Sequence, residues 1–255
     1  MNTPLRVIDT GLNSARWNIA VTAALSELHL GGSLEDTLRL HCYRRSVLLG
    51  RHQLLDDAVD RSFCARKGIE IARRVTGGGA VYMSPGVLAW DLVMARSAAA
   101  SLEAVSTKVC GAIATALASF GFAARFRPPG DVVIGGQKVS GSAGWHDGCS
   151  LVHQGTVLID ADLEEMARVL RMPVAADIPL PVMTLADGGS APDFQSVANA
   201  VSDAIAQALD RRPVRGRLST LESDMATKFL AEEIGTDEFV EGEEPAHSQP
   251  ASLPA

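Results

Sequence analysis

Apolar positions recur at helical spacing in three long stretches. Trp17, Val21, Leu25 and Leu28 fall on one face of a helix over 13–30. Asn13 or Ser14 is its cap, and Gly31-Gly32 is its stop. Leu102, Val105, Val109, Ile113, Leu117 and Phe120 form a second stripe over 98–120, ended by Gly121. Phe194, Val197, Val201, Ile205 and Leu209 form a third over 194–209. Between these stretches the pattern shortens to alternation or to brief apolar runs, which reads as strands. The strands are 38–49 (one or two, with Leu38, Leu40 and Cys42 alternating against polar neighbours), 69–75, 80–83, 88–95, 131–134, 138–145 and 151–159. Gly135-Gly136 joins 131–134 to 138–145 as a hairpin. Short helices are expected over 56–67, closed by Gly68, and over 162–171, stopped by Pro173. The Pro- and Gly-rich stretch 173–192 reads as an irregular loop. Strands and helices mix without strict βαβ alternation, which predicts an α+β fold: a mixed β-sheet flanked by helices.

The pattern divides the chain in three. Residues 1–213 form the main domain. Residues 214–237 form a short helical appendage. In it, Ser219-Thr220-Leu221-Glu222 is a capping box, and Leu221, Met225 and Phe229 make a narrow stripe over 219–234. From 238 to 255 there is little to bury, and a disordered tail is expected.

Composition adds exclusions. With 47% apolar residues among 255, the chain can bury a core, so disorder throughout is ruled out. No apolar run reaches the roughly 18 residues a membrane span needs, and the start lacks the apolar core of a signal peptide. The expectation is a cytoplasmic protein without membrane association. Lys and Arg total 23 against 30 Asp and Glu, giving a net charge of −7 with no basic run, which argues against a nucleic-acid partner. The pairs Arg44-Arg45 and Arg73-Arg74 suit a small anionic ligand better than a polymer. Cys42, Cys64, Cys110 and Cys149 show no paired spacing and the histidines no HExxH, so neither a disulfide framework nor a metal centre held by protein alone is indicated.

Two segments carry candidate chemistry. In Arg73-Arg74-Val75-Thr76-Gly77-Gly78-Gly79-Ala80-Val81-Tyr82, three glycines follow a strand. They let backbone N–H groups approach a ligand, and the arginines supply fork donors for carboxylate or phosphate. The bland alternative is a glycine-rich turn with solvated arginines. In Gly135-Gly136-Gln137-Lys138-Val139-Ser140-Gly141-Ser142-Ala143-Gly144, a lysine enters a strand after a tight turn, with small residues leaving space before it. Its ammonium could face a phosphate or a developing oxyanion; the alternative is an exposed strand lysine. Asp131 either helps hold a nucleotide's magnesium or starts a strand. His153, alone in its strand, is more often structural than catalytic.

Taken in order, Arg73–Val81, Gly136–Ala143 and His153–Thr156 resemble the motifs of the lipoate–protein ligase A family, within the biotin/lipoate ligase and octanoyltransferase superfamily. Trp17-Asn18-Ile19-Ala20, Gly50-Arg51-His52-Gln53 and Gly130-Asp131-Val132-Val133 are supporting matches, and the resemblance covers about residues 5 to 235. It implies a biotin/lipoate ligase-like catalytic domain that uses ATP with Mg2+ to convert lipoate or octanoate to an acyl-adenylate. The acyl group then passes to a lysine of a lipoyl-domain acceptor protein. Lys138 would be catalytic. Arg73, Arg74, Thr76, Gly77, Gly78, Gly79, Ser140, Gly141, His153 and Gly155 would bind the acyl substrate. Ala80, Val81, Tyr82, Asp131 and Lys138 would meet the nucleotide, with Asp131 touching magnesium only through it.

Three departures qualify that reading. Met83-Ser84 stands where ligases commonly have His-Asp, and Gly86-Val87-Leu88 where they often have Gly-Asn-Leu. Both changes remove polar groups near the expected nucleotide site. The ligases' sizeable C-terminal domain has only 219–234 as a counterpart, which implies a separate accessory protein or a different activity. One alternative is an ATP-independent octanoyl- or lipoyl-transferase working through a cysteine thioester. One such branch carries Gly-Cys-Ser after the lysine motif, as Gly148-Cys149-Ser150 does here, although Gly155 then lies about two residues too far on. Another branch tends to replace the third glycine by Arg, whereas Gly79 is present. A non-catalytic acyl- or adenylate-binding relative is the other alternative.

Overall fold

The computed structural model describes residues 3–96, 101–171, 181–189 and 191–242. A strand the hydropathy pattern did not announce, Thr3–Asn13 (β1), leads into the first helix, Ala15–Leu30 (α1). Ser14 settles where that helix starts, because its hydroxyl accepts the Trp17 amide. The 38–49 segment divides into Thr37–Tyr43 (β2) and Ser46–Leu49 (β3). The helix expected over 56–67 is two helices, Leu55–Ala58 (α2) and Arg61–Lys67 (α3). Asp60 interrupts them by capping the second, and Gly68 closes it at φ 62°. Glu70–Arg73 (β4), Val81–Met83 (β5) and Val87–Ala95 (β6) follow, then Leu102–Ala118 (α4), capped by Ser101. Ala124–Arg127 (β7), Asp131–Ile134 (β8), Gln137–Asp147 (β9) and Ser150–Leu158 (β10) form an antiparallel run. The remainder is Leu163–Val169 (α5), Phe194–Ala208 (α6), Arg211–Arg215 (β11), Thr220–Phe229 (α7) and Asp237–Glu241 (α8). Most of the loop expected over 173–192 lies outside the described residues.

Eight strands make one mixed sheet in the order β11-β1-β2-β6-β10-β9-β8-β7, and β4-β3-β5 make a second, smaller one. β1 runs parallel to both of its neighbours. Helices cover both faces of the large sheet, which is why β6 reads as an almost unbroken apolar run. Leu88, Trp90, Leu92 and Met94 pack in a core with α4 and α6. Ala89 and Val93, on the opposite face, pack in a core with α1 and Ala226 of α7. Asp91 lies in the middle of that run and is buried.

The C-terminal boundary needs correction. Residue 238 does not begin a featureless tail: it lies inside α8, whose Phe239 and Val240 are each only 5% exposed. A two-residue apolar step is too short to register as periodicity. Its anchor is polar, because the Phe239 and Val240 carbonyls accept hydrogen bonds from Arg73. The capping box of α7 is present, and its Glu222 also pairs with Arg6 of β1.

Candidate active site

A cavity of about 410 Å3, a size suited to a small molecule, is lined by residues of both sheets. Its floor follows one register row of the large sheet. His41 stands opposite Ala89, Ala89 opposite Thr156, and, further along, Gly141 opposite Asp131. Glycine, alanine and threonine in the middle of that row keep the floor low. The small sheet contributes Leu48, Val81 and Met83 to the wall, and Leu158, Met166 and Val182 add further apolar surface.

One end of the row is charged. The Lys138 ammonium lies 2.6 Å from an Asp131 carboxylate oxygen. The Lys138 main chain is fixed separately: its N–H donates to the Pro181 carbonyl (2.7 Å), and its own carbonyl accepts from the Met183 amide (3.0 Å). Gly141 must stay small here, because a Cβ on it would come within 2.6 Å of the lysine's Cε and Nζ. Val139 is buried in the core, while Lys138, Ser140 and Gly141 line the cavity.

The glycine loop is shaped from below by Arg74. Its guanidinium donates to the carbonyls of Leu48, Gly77 and Gly79 and to the Thr76 hydroxyl, at 2.9–3.2 Å. Burial pulls its pKa down to about 10, so it remains a cation at neutral pH. Gly78 takes φ 93°, a conformation glycine accepts freely. Gly50 allows the loop to close down, since a Cβ there would meet the Gly78 oxygen at 1.9 Å. Gly78, Gly79, Ala80, Val81 and Tyr82 all reach the cavity. Gly77 and the fully buried Thr76 support the loop without lining it. The Tyr82 hydroxyl is engaged by Glu165, which also binds Arg45.

Two expected binding residues stand elsewhere. Arg73 does not line the cavity. Its buried guanidinium donates to five carbonyls, those of Gly50, Arg51, Gln53, Phe239 and Val240, and so ties α8 to the loop after β3. Strand alternation explains the split, because adjacent residues leave the strand on opposite sides. His153 likewise faces the α4/α6 side, its ring edge-on to Trp90 at 4.9 Å. Neither ring nitrogen has a hydrogen-bond partner, and burial drives its pKa down to about 4. Its strand neighbours Gln154 and Gly155 do line the cavity.

A family model described as the lipoyl protein ligase A/B catalytic domain matches residues 14–206. The chain belongs to that family. Among curated members, an octanoyltransferase LipM from Kyrpidia tusciae is 26% identical over 266 residues, covering 91% of this chain and 97% of that protein. Lipoate-protein ligase A subunit 1 from Thermoplasma acidophilum is 31% identical over 150 residues, covering 53% of this chain and 55% of that protein. The fold matches a chain from a bi-partite lipoate protein ligase and E2 lipoyl domain structure from Thermoplasma acidophilum. The TM-score is 0.84 at 23% identity, over 98% of this chain and 100% of that one. It also matches a lipoate-protein ligase A bound with ATP, with TM-score 0.82 at 23% identity, over 95% of this chain and 99% of that one.

A ligase and an octanoyltransferase therefore both belong to the comparison, and the places of this family member's thiols bear on the choice. None of the four cysteines lines the cavity. Cys149 is exposed at the turn between β9 and β10. Cys110 is buried, its Sγ 3.4 Å from the hydroxyl of the cavity residue Ser142, and burial raises its thiol pKa. Cys42 and Cys64 are raised in the same way, Cys64 to about 11. Among the described residues no cluster of three or more His, Cys, Asp or Glu could hold a metal, and no helix is long and apolar enough to cross a membrane.

The motifs did not point to the other end of the row. Asp91 accepts from Thr22 (2.8 Å) and from the fully buried Arg39 (3.1 Å), which also donates to the Asn18 carbonyl at 2.9 Å. Burial raises the Asp91 carboxyl and lowers the Arg39 guanidinium, and their contact opposes both shifts. His41 and Tyr43 stand beside this pair on the cavity wall. The available signal was a carboxylate inside an apolar strand, since such a group must be paired there.

Proposed function

We propose that the chain is an acyl-adenylate-forming lipoate–protein ligase. The observation that carries this reading is the Lys138–Asp131 pair at one end of an apolar cavity on whose wall no cysteine stands. Activation brings two anions together, the acid's carboxylate and the α-phosphate of ATP. A fixed ammonium lowers the energy of that encounter and of the charge that develops in it. Lys138 donates to the reacting oxygens, and Asp131 holds its Nζ over Gly141. The glycine loop, held from below by the Arg74 cation, closes over the chain and keeps water from the mixed anhydride. The carboxylate displaces pyrophosphate from ATP. The ε-amine of a lysine on a lipoyl-domain protein then attacks the acyl carbon, and AMP leaves. Among the described residues this end of the cavity carries one carboxylate, Asp131, already beside an ammonium. Magnesium would therefore arrive on the nucleotide's phosphates, with Asp131 the described residue nearest to hold it. A separate accessory protein fits the match to the whole of a chain from a bi-partite ligase structure.

The test is pyrophosphate release from ATP with lipoate or octanoate, followed by transfer to an apo-lipoyl domain. A second reading, transfer through a Cys149 thioester, draws support from the octanoyltransferase relative matched over 97% of its length. Intact mass after mixing with an acyl donor separates the two. An octanoyl adduct on the wild type that is lost in Cys149→Ser, with no pyrophosphate formed, would overturn the ligase reading.

A further inference from the structure

We propose that α8 is a latch on the glycine loop: docked, it holds the loop closed over the cavity, with Arg73 as the positioning residue that transmits the hold. The glycine loop cannot fix its own shape, because Gly77, Gly78 and Gly79 carry no side chains. Its hydrogen bonds come from two sides. Arg74 takes the Gly77 and Gly79 carbonyls from below. From behind, the Arg51 amide donates to the Thr76 carbonyl at 2.8 Å. Gly50 backs against Gly78 so closely that a Cβ has no room between them. The turn over 50–53 is therefore the loop's backstop. Gln53 closes that turn: its side-chain oxygen accepts the Gly50 amide at 3.0 Å, and its own amide donates to the Gly50 carbonyl at 3.1 Å.

Arg73 joins the turn to α8 in one rigid plane. Its Nη1 donates to the carbonyls of Gly50, Arg51 and Gln53 at 3.1, 3.2 and 2.7 Å. Its Nε and Nη2 donate, among the described residues, only to the Phe239 and Val240 carbonyls, at 2.6–3.1 Å. If α8 leaves, two of the three nitrogens lose these acceptors. A buried cation in that state is costly, so the guanidinium turns towards water. Being planar, it carries Nη1 off the turn as it goes. The Phe239 ring also touches the turn directly, 5.1 Å from the Arg51 guanidinium. α8 is built to come away before the domain unfolds. It has five residues, of which Phe239 and Val240 are buried. Its ion pairs, Arg61–Glu241 (2.6 Å) and Arg16–Asp237 (2.7 Å), are open to solvent, with Arg61 49% and Asp237 86% exposed. Exposed pairs contribute little, and a unit with so few buried contacts opens locally. The functional consequence rests on the ligase reading: an open loop admits water to the mixed anhydride, and acyl-AMP is hydrolysed before the acceptor lysine reaches it.

The experiment is amide hydrogen exchange by mass spectrometry on the full chain, for the wild type, Phe239→Ala and Glu241→Arg. Pyrophosphate release from ATP with lipoate, and loss of acyl-AMP to water without acceptor, are measured on the same samples. Phe239→Ala should speed exchange at 50–53 and at 76–80 by about tenfold and leave β6 and β10 unchanged. Hydrolysis of acyl-AMP should rise by a similar factor. Glu241→Arg, at a partly exposed position that does not threaten folding, should give the same pattern at about two- to fivefold; it reads the coupling if Phe239→Ala does not fold. Exchange at 76–80 at the wild-type rate in a variant whose α8 exchanges freely would overturn the proposal. So would wild-type retention of acyl-AMP in a variant whose loop exchanges faster. Loop exchange that follows α8, in a protein that releases no pyrophosphate, would uphold the latch while removing the ligase reading. Pyrophosphate release with loop exchange independent of α8 would do the reverse.

Discussion

Replacing Lys138 with Ala tests the proposed chemistry most directly. The perturbation is clean because the residue's two structural hydrogen bonds, to Pro181 and from Met183, use main-chain atoms and survive the change. What is lost is an ammonium 36% exposed, paired with a carboxylate 22% exposed. A solvent-screened pair of this kind contributes at most about 1 kcal/mol to folding. For a chain of this size that shifts Tm by no more than about 4 °C. Its effect on acyl-adenylate formation should be far larger, because a donor aimed at developing charge is worth about 10²–10³ in rate. Arg should not rescue: the lysine's Cε and Nζ lie so close to Gly141 that a Cβ there would be 2.6 Å away, leaving little room for a planar guanidinium. The assay is single-turnover acyl-AMP formation by mass spectrometry, with thermal melting as the folding control. Adenylate accumulating at the wild-type rate in Lys138→Ala would refute the assignment.

Gly79→Val should weaken acyl binding at least tenfold with little change in Tm: its φ is not positive and open space surrounds a Cβ there, so the side chain would fill the cavity without straining the loop; unchanged lipoate affinity by calorimetry would count against this. Removing residues 243–255 should leave Tm unchanged, whereas ending the chain before Asp237, which strips the buried Arg73 guanidinium of its Phe239 and Val240 acceptors, or changing Arg73 to Met, which orphans the carbonyls it satisfies, should cost about 2–4 kcal/mol; equal denaturation midpoints for all four proteins would show that α8 is not anchored. His153 should make stability fall in acid: the unfolded chain takes up its proton near pH 6.5, the folded chain resists until about 4, and stability is full above that window and lost through it, by about 3 kcal/mol. His153→Phe should flatten the urea midpoint between pH 6.5 and 4, and an unaltered slope would place the acid sensitivity elsewhere.

Where the buried face of an element is mostly apolar, the fold was legible in the sequence. α1, α4 and α6 each bury a stripe, and β6 is covered on both sides, so periodicity alone located them. The strands that escaped notice are those whose stability comes from pairing. β11 is Arg211–Arg215, an edge strand with three arginines and a proline, and it carries no hydrophobic signal at all. Such residues are what an exposed edge tolerates without recruiting another chain. β7 presents Arg125 and Arg127 outward for the same reason. β1 buries only Leu5, Val7 and Ile8 of its eleven residues, so alternation over its full length was never available.

The site divides along a different line. Motif spacing found the end of the cavity where backbone conformation is unusual, because glycines and a lone strand lysine are visible as residue types. It could not separate Arg73 from Arg74, since adjacent strand residues face opposite ways and the direction depends on which sheet receives them. One arginine became the underside of the glycine loop and the other the anchor of α8. Nor could spacing find the far wall, where Arg39, Asp91 and His41 come from β2 and β6, some fifty residues apart, and meet only through an antiparallel register. Burying a charge pair beside an apolar cavity adds little stability over apolar residues of the same size, and removing one partner is costly. Its presence beside the wall is therefore better explained by what it does to a neighbour: Arg39 helps keep His41 neutral, and Asp91 sets the negative edge of a cavity wall that carries an unsatisfied imidazole.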